Sequence, residues 1–164
     1  MTGETCPPVS VSREIEAPAE KLFALLTHSA SHPLIDGSGM LREAPADVRL
    51  SRVGDVFVMK MHNDEMGDYE ITNYVVEYEL NRLIGWQPVM RAASRDEDQA
   101  DIGESGQHRW SYHLSPVDSR STLVTETYDC SRSPEWLRKA VRGGNRWIDS
   151  MTASLEKLDA LSRG

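Results

Sequence analysis

The sequence has the length of one domain and the composition of a globular protein. Of its 164 residues, 39 % are hydrophobic and 27 % are charged, and no apolar run approaches the roughly 18 residues that a membrane-spanning helix needs. The 18 Lys and Arg residues against 26 Asp and Glu residues give a net charge of −8, which argues against nucleic acid and anionic membrane as partners.

The first residues and the cysteines predict the compartment of the protein. The segment 1–8 is short, acidic and rich in proline, so we expect a flexible tail rather than a signal peptide. Cys6 lies in this tail and Cys130 lies far along the chain. Two cysteines so widely separated are typical of a reduced, cytoplasmic protein.

The first elements are predicted to be one strand and two short helices. Val9, Val11 and Ile15 alternate with polar residues, which is the two-residue period of a strand buried on one face. A helix then opens near Pro18, because proline is tolerated in the first turn, where its missing N–H would be unpaired. A second short helix is expected over Ser31–Ile35.

The middle of the chain has the pattern of an antiparallel sheet. We expect strands over Asp55–His62, Asp68–Leu80 and Arg82–Met90, and a hairpin formed by His108–Val117 and Ser121–Cys130. In the long strand Asp68–Leu80, alternation predicts that one face carries four apolar or aromatic side chains, namely Tyr74, Val76, Tyr78 and Leu80.

The segment Ala93–Gln107 interrupts this pattern and is predicted to be an exposed loop. It carries several acidic residues and glycines between the strands. Because the stretch Asp96–Glu104 lacks the spacing of a calcium-binding loop, we interpret it as a solvated connector.

The C-terminal segment predicts one long amphipathic helix. It begins near Ser133, and apolar residues recur every three or four positions as far as Leu158. Some 28 helical residues would span about 42 Å, so their apolar stripe needs a long, curved sheet as its partner. The sequence therefore predicts an α+β fold, in which a curved antiparallel sheet wraps around the C-terminal helix.

The order of these elements resembles the START-like superfamily, also called SRPBCC or helix-grip, and within it the polyketide cyclase/dehydrase-like branch of bacterial proteins. The residues that carry the resemblance are Ile15–Phe23, His32–Gly37, Val75–Tyr78, Leu83–Trp86, His108–Tyr112 and Thr125–Asp129. The likeness runs from Val9 to Leu161, so residues 9–164 are expected to form a single domain of this type. It implies an apolar cavity between sheet and terminal helix that holds a small hydrophobic molecule, but it does not imply a reaction.

The strand faces that should point at the helix are rich in aromatic residues and methionine, which suit irregular apolar guests. A filled core is the alternative interpretation of the same residues. The candidate ligand-binding residues are Phe57, Met59, Met61, Tyr74, Trp86, Trp110, Tyr112, Glu126, Tyr128, Gly144, Trp147, Ile148 and Met151.

Glu126 is the most informative of these candidates. If Val124 and Tyr128 face inward, the strand period carries Glu126 inward with them, and a carboxyl there must be neutral, paired or hydrated. In the alternative register Leu123 faces inward and Glu126 is solvated. Glu126 and His108 are the weak candidates for a catalytic acid or base.

Gly144 and the pair His28 and His32 are the remaining candidates for a functional role. Gly144 lies on the apolar stripe of the helix, where a missing side chain leaves room for a guest or for close packing against the sheet. His28 and His32 are four residues apart without a third ligand nearby, so no metal site is expected. No cofactor is expected either.

The function that the sequence favours is binding of a small hydrophobic molecule such as a lipid, a polyketide or an aromatic metabolite. The alternatives are a polyketide cyclase or dehydratase that uses Glu126 or His108 as acid/base, and a protein-interaction role of the toxin-like or chaperone co-factor kind. Whether the protein is an enzyme, and whether it forms a homodimer, is left open.

Overall fold

The computed structural model describes residues 6–91 and 107–163. The connector expected over Asp96–Glu104 lies outside these described residues, as do residues 1–5 of the expected tail. Among the described residues, every helix is too short or too polar to cross a membrane.

Seven strands form one antiparallel, curved and open sheet, in the order β1-β7-β6-β5-β4-β3-β2. Only the short edge strand β2 has no counterpart among the predicted strands. The strands are β1 Val9–Ile15, β2 Leu41–Glu43, β3 Val56–Asn63, β4 Gly67–Glu79, β5 Leu83–Arg91, β6 Arg109–Pro116 and β7 Thr122–Asp129.

The helices lie near the two ends of the chain, in the segments that were predicted to be helical. α1 (Ala19–Leu26) and α2 (His32–Ile35) follow the first strand, and α3 (Glu135–Ala140) and α4 (Ile148–Ser162) follow the last. α1 buries Leu22 and Leu26, which contact the sheet and α4 as part of one apolar cluster. The predicted α+β architecture of a curved sheet around a C-terminal helix is confirmed.

The expected orientation of Tyr74 is wrong, because β4 contains a bulge. The register passes from Val75 opposite Trp86 to Glu77 opposite Gly85, so Val76 is an extra residue. An extra residue reverses the alternation of a strand. Tyr74 therefore points outward and is 43 % exposed, whereas Val75 is buried.

The single continuous C-terminal helix is also not observed. Gly143 and Gly144 adopt positive φ angles of 66° and 100°, which break the helical segment between α3 and α4. α4 has 15 residues and is therefore about 22 Å long, roughly half the predicted span. Leu137, which precedes the break, and Leu158, which follows it, pack into two different clusters of buried apolar residues. The apolar stripe is therefore divided between two parts of the interior.

A carboxylate joins α4 to the first strand. Asp159 is almost fully buried and accepts hydrogen bonds from Arg13 of β1 and Arg163, both at 2.9 Å. Burial acts to raise the pKa of Asp159, but the two guanidinium groups outweigh it and the pKa is lowered. This ion pair fixes the end of α4 on the edge of the sheet.

The buried apolar residues form two clusters rather than one. The larger contains Leu155 and Leu158 of α4 together with side chains from α1 and the central strands. The smaller contains Tyr128, Cys130, Val141 and Met151. Val11 and Trp110 are partly buried and contact both clusters. The division between the clusters therefore lies beneath β7 and the first turns of α4.

Candidate functional site

Glu126 lies on β7 at the division between the two clusters. On one side Val124 belongs to the larger cluster, and on the other side Tyr128 belongs to the smaller. Both of these neighbours are 0 % exposed, Glu126 is 5 % exposed, and Leu123 is 39 % exposed. The inward register predicted for β7 is therefore the one that forms.

Glu126 is surrounded by apolar and aromatic neighbours across the strands. Its cross-strand partners are Tyr112 on β6 and Val11 on β1, and Tyr112 in turn lies opposite Ile84 on β5. Residues directly opposite each other in antiparallel strands point to the same face. We call these four residues the inner row: Val11, Glu126, Tyr112 and Ile84. The inner row therefore contains one carboxyl group in an otherwise apolar or aromatic surface.

One oxygen of that carboxyl, Oε1, is fully buried and has no hydrogen-bond partner among residues 6–91 and 107–163. Leaving a buried acceptor or donor unpaired costs about 1–3 kcal/mol. Buried polar groups without a protein partner commonly bind water or a ligand group instead. Glu126 Oε1 therefore marks a position where a polar atom of another molecule would be stabilised.

The carboxyl of Glu126 holds its proton at neutral pH. Burial raises its pKa from 4.5 to about 8, a hydrogen bond with Tyr112 acts to lower it, and the charge of Asp36 acts to raise it. Burial, together with the neighbouring Glu126, also raises the pKa of the Tyr112 hydroxyl well above its ordinary value. Tyr112 therefore stays protonated beside Glu126, and the pair can donate as well as accept hydrogen bonds.

Next to this pair, four rings pack edge to face or tilted, and with Glu126 we call them the Glu126 cluster. The Trp86 ring lies 5.9 Å from Tyr112, 5.7 Å from Phe57 and 5.3 Å from His32. Nε2 of His32 lies 2.8 Å from the carbonyl oxygen of Leu26. Burial lowers the pKa of His32, which favours the neutral ring. The cluster thus combines an aromatic wall with one protonated acid.

A second aromatic group, which we call the Tyr128 cluster, lies on the other side of Glu126. Trp110 is 4.6 Å from Tyr128 and 5.9 Å from Trp147, measured between ring centroids. Nδ1 of His108 lies 2.6 Å from the Tyr128 hydroxyl oxygen. Burial lowers the pKa of His108 to about 4, so this imidazole is neutral at pH 7. Nε1 of Trp147 is buried without a partner among the described residues.

The structure brings together most of the residues predicted to bind a ligand, but not all of them. Tyr74 points away from the helix, as described above. The remaining candidates lie in the interior or at its margin: Phe57, Met59, Trp86, Tyr112, Glu126, Tyr128, Gly144 and Met151 are buried, whereas Met61, Trp110, Trp147 and Ile148 are partly buried.

Gly144 leaves no free space for a guest. A Cβ atom on this residue would come within 2.7 Å of Val9 Cγ2 and 3.0 Å of Tyr128 Cδ2. Of the two interpretations of this glycine, close packing against the sheet is the one that the structure shows.

Three polar residues near the site were not among the predicted ligand-binding residues. Asn73 is 4 % exposed and lies opposite Phe57 on the inner face, where only knowledge of the β4 bulge would have placed it. His32 is buried within the aromatic wall. Asp36 at the end of α2 influences the pKa values of both Glu126 and Tyr112. The sequence offers no signal that α2 folds over the inner row.

The described histidines and acidic residues do not converge on a metal site. Within the part of the chain that the structure describes, no group of three or more His, Cys, Asp or Glu side chains is arranged to hold a metal ion. His28 interacts with Asp47, and His32 lies near Leu26, so the two rings have different partners.

Solved structures from several organisms share this fold. A protein from Chromobacterium violaceum superposes with a TM-score of 0.65 at 15 % identity, over 94 % of this chain and 96 % of its own. A protein from Rhodobacter sphaeroides gives 0.66 at 18 % identity, over 98 % and 94 %. A major latex-like protein from Panax ginseng gives 0.64 at 13 % identity, over 95 % and 97 %. At such low identities these likenesses establish the helix-grip fold and nothing finer.

Curated relatives in sequence are mycobacterial. An uncharacterized protein of Mycobacterium tuberculosis strain H37Rv is 32 % identical over 124 residues, which is 74 % of this chain and 46 % of the relative. A counterpart in strain CDC 1551 matches to the same extent. The chain thus spans about half the length of the curated relatives that it matches. No family model matches the sequence.

Proposed function

We propose that the protein is a START-like domain that binds a small hydrophobic molecule between the sheet and α4, at the division between its two apolar clusters. The observation that carries the proposal is Glu126 Oε1, a buried oxygen at that division that has no hydrogen-bond partner among the described residues. Ligand sites commonly combine apolar and aromatic walls with one or a few polar groups of this kind.

The composition of the surrounding walls supports the proposal. Met59 and Met151 lie in the interior on either side of the division, and methionine side chains adapt readily to guests of different shape. The fold shared with a plant major latex-like protein is compatible with this use of the interior.

A fluorescent apolar probe tests the proposal. N-phenyl-1-naphthylamine is expected to bind saturably and to gain fluorescence. The variant Val11→Phe should weaken this binding about tenfold, because Val11 lies opposite Glu126 and contacts both clusters. If the interior accommodates a guest, the larger ring fits and Tm changes by only a few degrees.

Ser12→Phe is the matched control, because Ser12 is the next residue of the same strand and lies on the exposed face. It should leave probe binding unchanged. Absence of saturable binding to the wild-type protein, with a loss of about 1–3 kcal/mol of stability in Val11→Phe as in an overpacked core, would contradict the proposal.

A second candidate function is acid/base catalysis on a polyketide-like substrate, and the pKa of Glu126 near 8 favours it. A group with such a pKa can both release and accept a proton near neutral pH. The test is incubation with a poly-β-ketone thioester: cyclised product should form with the wild-type protein and be lost in Glu126→Gln. Equal product with and without protein would reject this candidate.

A further inference from the structure

The chemistry around Glu126 also indicates what kind of molecule would bind. Oε1, which has no hydrogen-bond partner within residues 6–91 and 107–163, belongs to a protonated carboxyl, and Tyr112 lies opposite Glu126 on the neighbouring strand. A protonated carboxyl can both donate and accept hydrogen bonds. A ligand group therefore binds to it most strongly when it can also do both, as a hydroxyl or an amide can.

The charge near the site acts against anions. Burial is the main cause of the raised pKa values of Glu126 and Tyr112, and the negative charge of Asp36 acts in the same direction on both groups. A carboxylate or phosphate of a ligand would add another negative charge in the same apolar surroundings, where charges interact strongly. The burial of the site and the negative charge of Asp36 therefore both act against an anionic head group beside Glu126.

The aromatic neighbours define the rest of the ligand. Trp86, Tyr112 and Phe57 form a continuous wall of rings on one side of Glu126, and Trp110 begins the Tyr128 cluster on the other. These surfaces favour a flat or flexible hydrocarbon body, since aromatic faces and edges interact well with other rings.

We propose that the ligand is an uncharged molecule with an apolar body and one hydroxyl or amide group, which forms a hydrogen bond with Oε1 of Glu126. This inference rests on the proposed binding function and specifies its ligand class. Apolar acids such as fatty acids are then poor ligands, whereas apolar alcohols of the same shape are good ones.

Three naphthalenes of nearly equal shape test the inference by isothermal titration calorimetry at pH 7. 2-Naphthalenemethanol should bind about tenfold more tightly than 2-methylnaphthalene, which corresponds to one net hydrogen bond. 2-Naphthoate should bind at least tenfold more weakly than the alcohol, because its charge would be buried beside Asp36 and Glu126.

Variants at Glu126 assign the effect to that side chain. Glu126→Leu should keep affinity for the methyl compound while its preference for the alcohol falls to within about twofold. Glu126→Gln should retain the preference, since an amide also donates and accepts. Glu14→Leu, the same change at an exposed position of β1, is the control and should bind like the wild type. Melting curves verify that each variant is folded.

The outcomes separate this inference from the proposed function. Equal affinity for the methyl and hydroxymethyl compounds, or tightest binding of 2-naphthoate, would overturn the ligand class but leave apolar binding standing. The same holds if all three compounds fail while N-phenyl-1-naphthylamine still binds. Failure of every compound, including that probe, would contradict the proposed function itself.

Discussion

At the scale of single residues, a buried carboxyl makes the stability of this protein depend on pH. The pKa of Glu126 is about 8 in the folded protein against an ordinary value of 4.5. Between these two values the folded state keeps a proton that the unfolded chain has released. The contribution of Glu126 to the free energy of unfolding therefore falls as the pH rises from 4.5 to about 8 and is constant above that.

We predict that Glu126→Gln removes this fall. Relative to the variant, the wild-type protein should lose about 3 kcal/mol of unfolding free energy between pH 5 and pH 8. Urea denaturation of both proteins at several pH values measures the difference between their free energies of unfolding. Other titrating groups, such as His108, are present in both proteins, so their contributions cancel in this difference. Parallel pH profiles for the two proteins would show that Glu126 is hydrated or paired in solution.

The same residue shows what local sequence patterns can and cannot provide. Alternation along β7 placed Glu126 correctly, because Val124 and Tyr128 share its face without interruption. The same reasoning failed at Tyr74, since the extra residue in β4 lies between Val75 and Glu77 and has no sequence signature. The pairing of β7 with its neighbours continues without a break, whereas the pairing of β4 with β5 is interrupted by the extra residue.

At the scale of elements, two adjacent glycines divide the C-terminal helical segment. Both have positive φ, but their surroundings differ: a Cβ on Gly143 would lie 3.6 Å from Cys6 Sγ, whereas one on Gly144 would lie 2.7 Å from Val9 Cγ2. The first position tolerates a side chain sterically and the second does not. The break therefore lets the chain pass close to β1 and β7 before α4 begins.

We predict that Gly144→Ala lowers the free energy of unfolding by about 3 kcal/mol, the sum of left-handed backbone strain and overpacking. Gly143→Ala is the matched variant and should cost about 1 kcal/mol, because only the strain applies. Urea denaturation of the two variants measures both values. Equal losses would mean that the contact of Gly144 with Val9 relaxes without cost.

The helix break was not evident from the sequence for a physical reason. Glycine lowers helix stability by about 1 kcal/mol relative to alanine, which an apolar stripe can outweigh through burial. The residues from Leu137 to Leu158 keep helical spacing across Gly143 and Gly144. Whether the helix continues depends on which surface each half packs against, and that is decided by the sheet.

At the scale of the whole molecule, the fold brings together the only two cysteines of the sequence. Sγ of Cys6 lies 3.5 Å from Sγ of Cys130, although 124 positions separate them. Cys130 is buried, and burial together with the adjacent Cys6 thiol raises its pKa, whereas Cys6 is partly exposed. From the sequence, Cys6 was expected to lie in a flexible tail, far from Cys130.

We predict that oxidised glutathione converts these thiols to an intramolecular disulfide. Cys6 attacks the reagent and releases one reduced glutathione, after which Cys130 displaces the second. The step is slow, because the Cys130 thiol rarely ionises. Mass spectrometry should show the loss of two hydrogen atoms, and closing so long a loop should stabilise the protein by up to about 5 kcal/mol.

The variant Cys6→Ser controls for this reaction and should show neither the mass change nor the stabilisation. Accumulation of the mixed glutathione adduct on Cys6, without closure to Cys130, would contradict the contact between the two residues.

The sequence by itself determined the fold class, the positions of the strands other than β2, the helical character of the segments after Pro18 and after Ser133 and the inward orientation of β7. These depend on local periodicity, which each segment carries within its own few residues. The tertiary structure alone decided the bulge that turns Tyr74 outward, the break at Gly144, the packing of His32 against Trp86, the electrostatic influence of Asp36 on Glu126 and the contact of Cys6 with Cys130. Each of these features is a relation between separate segments of the chain: a register shift, a steric contact or an electrostatic influence. The periodicity within one segment carries no information about such relations, so they became evident only in the tertiary structure.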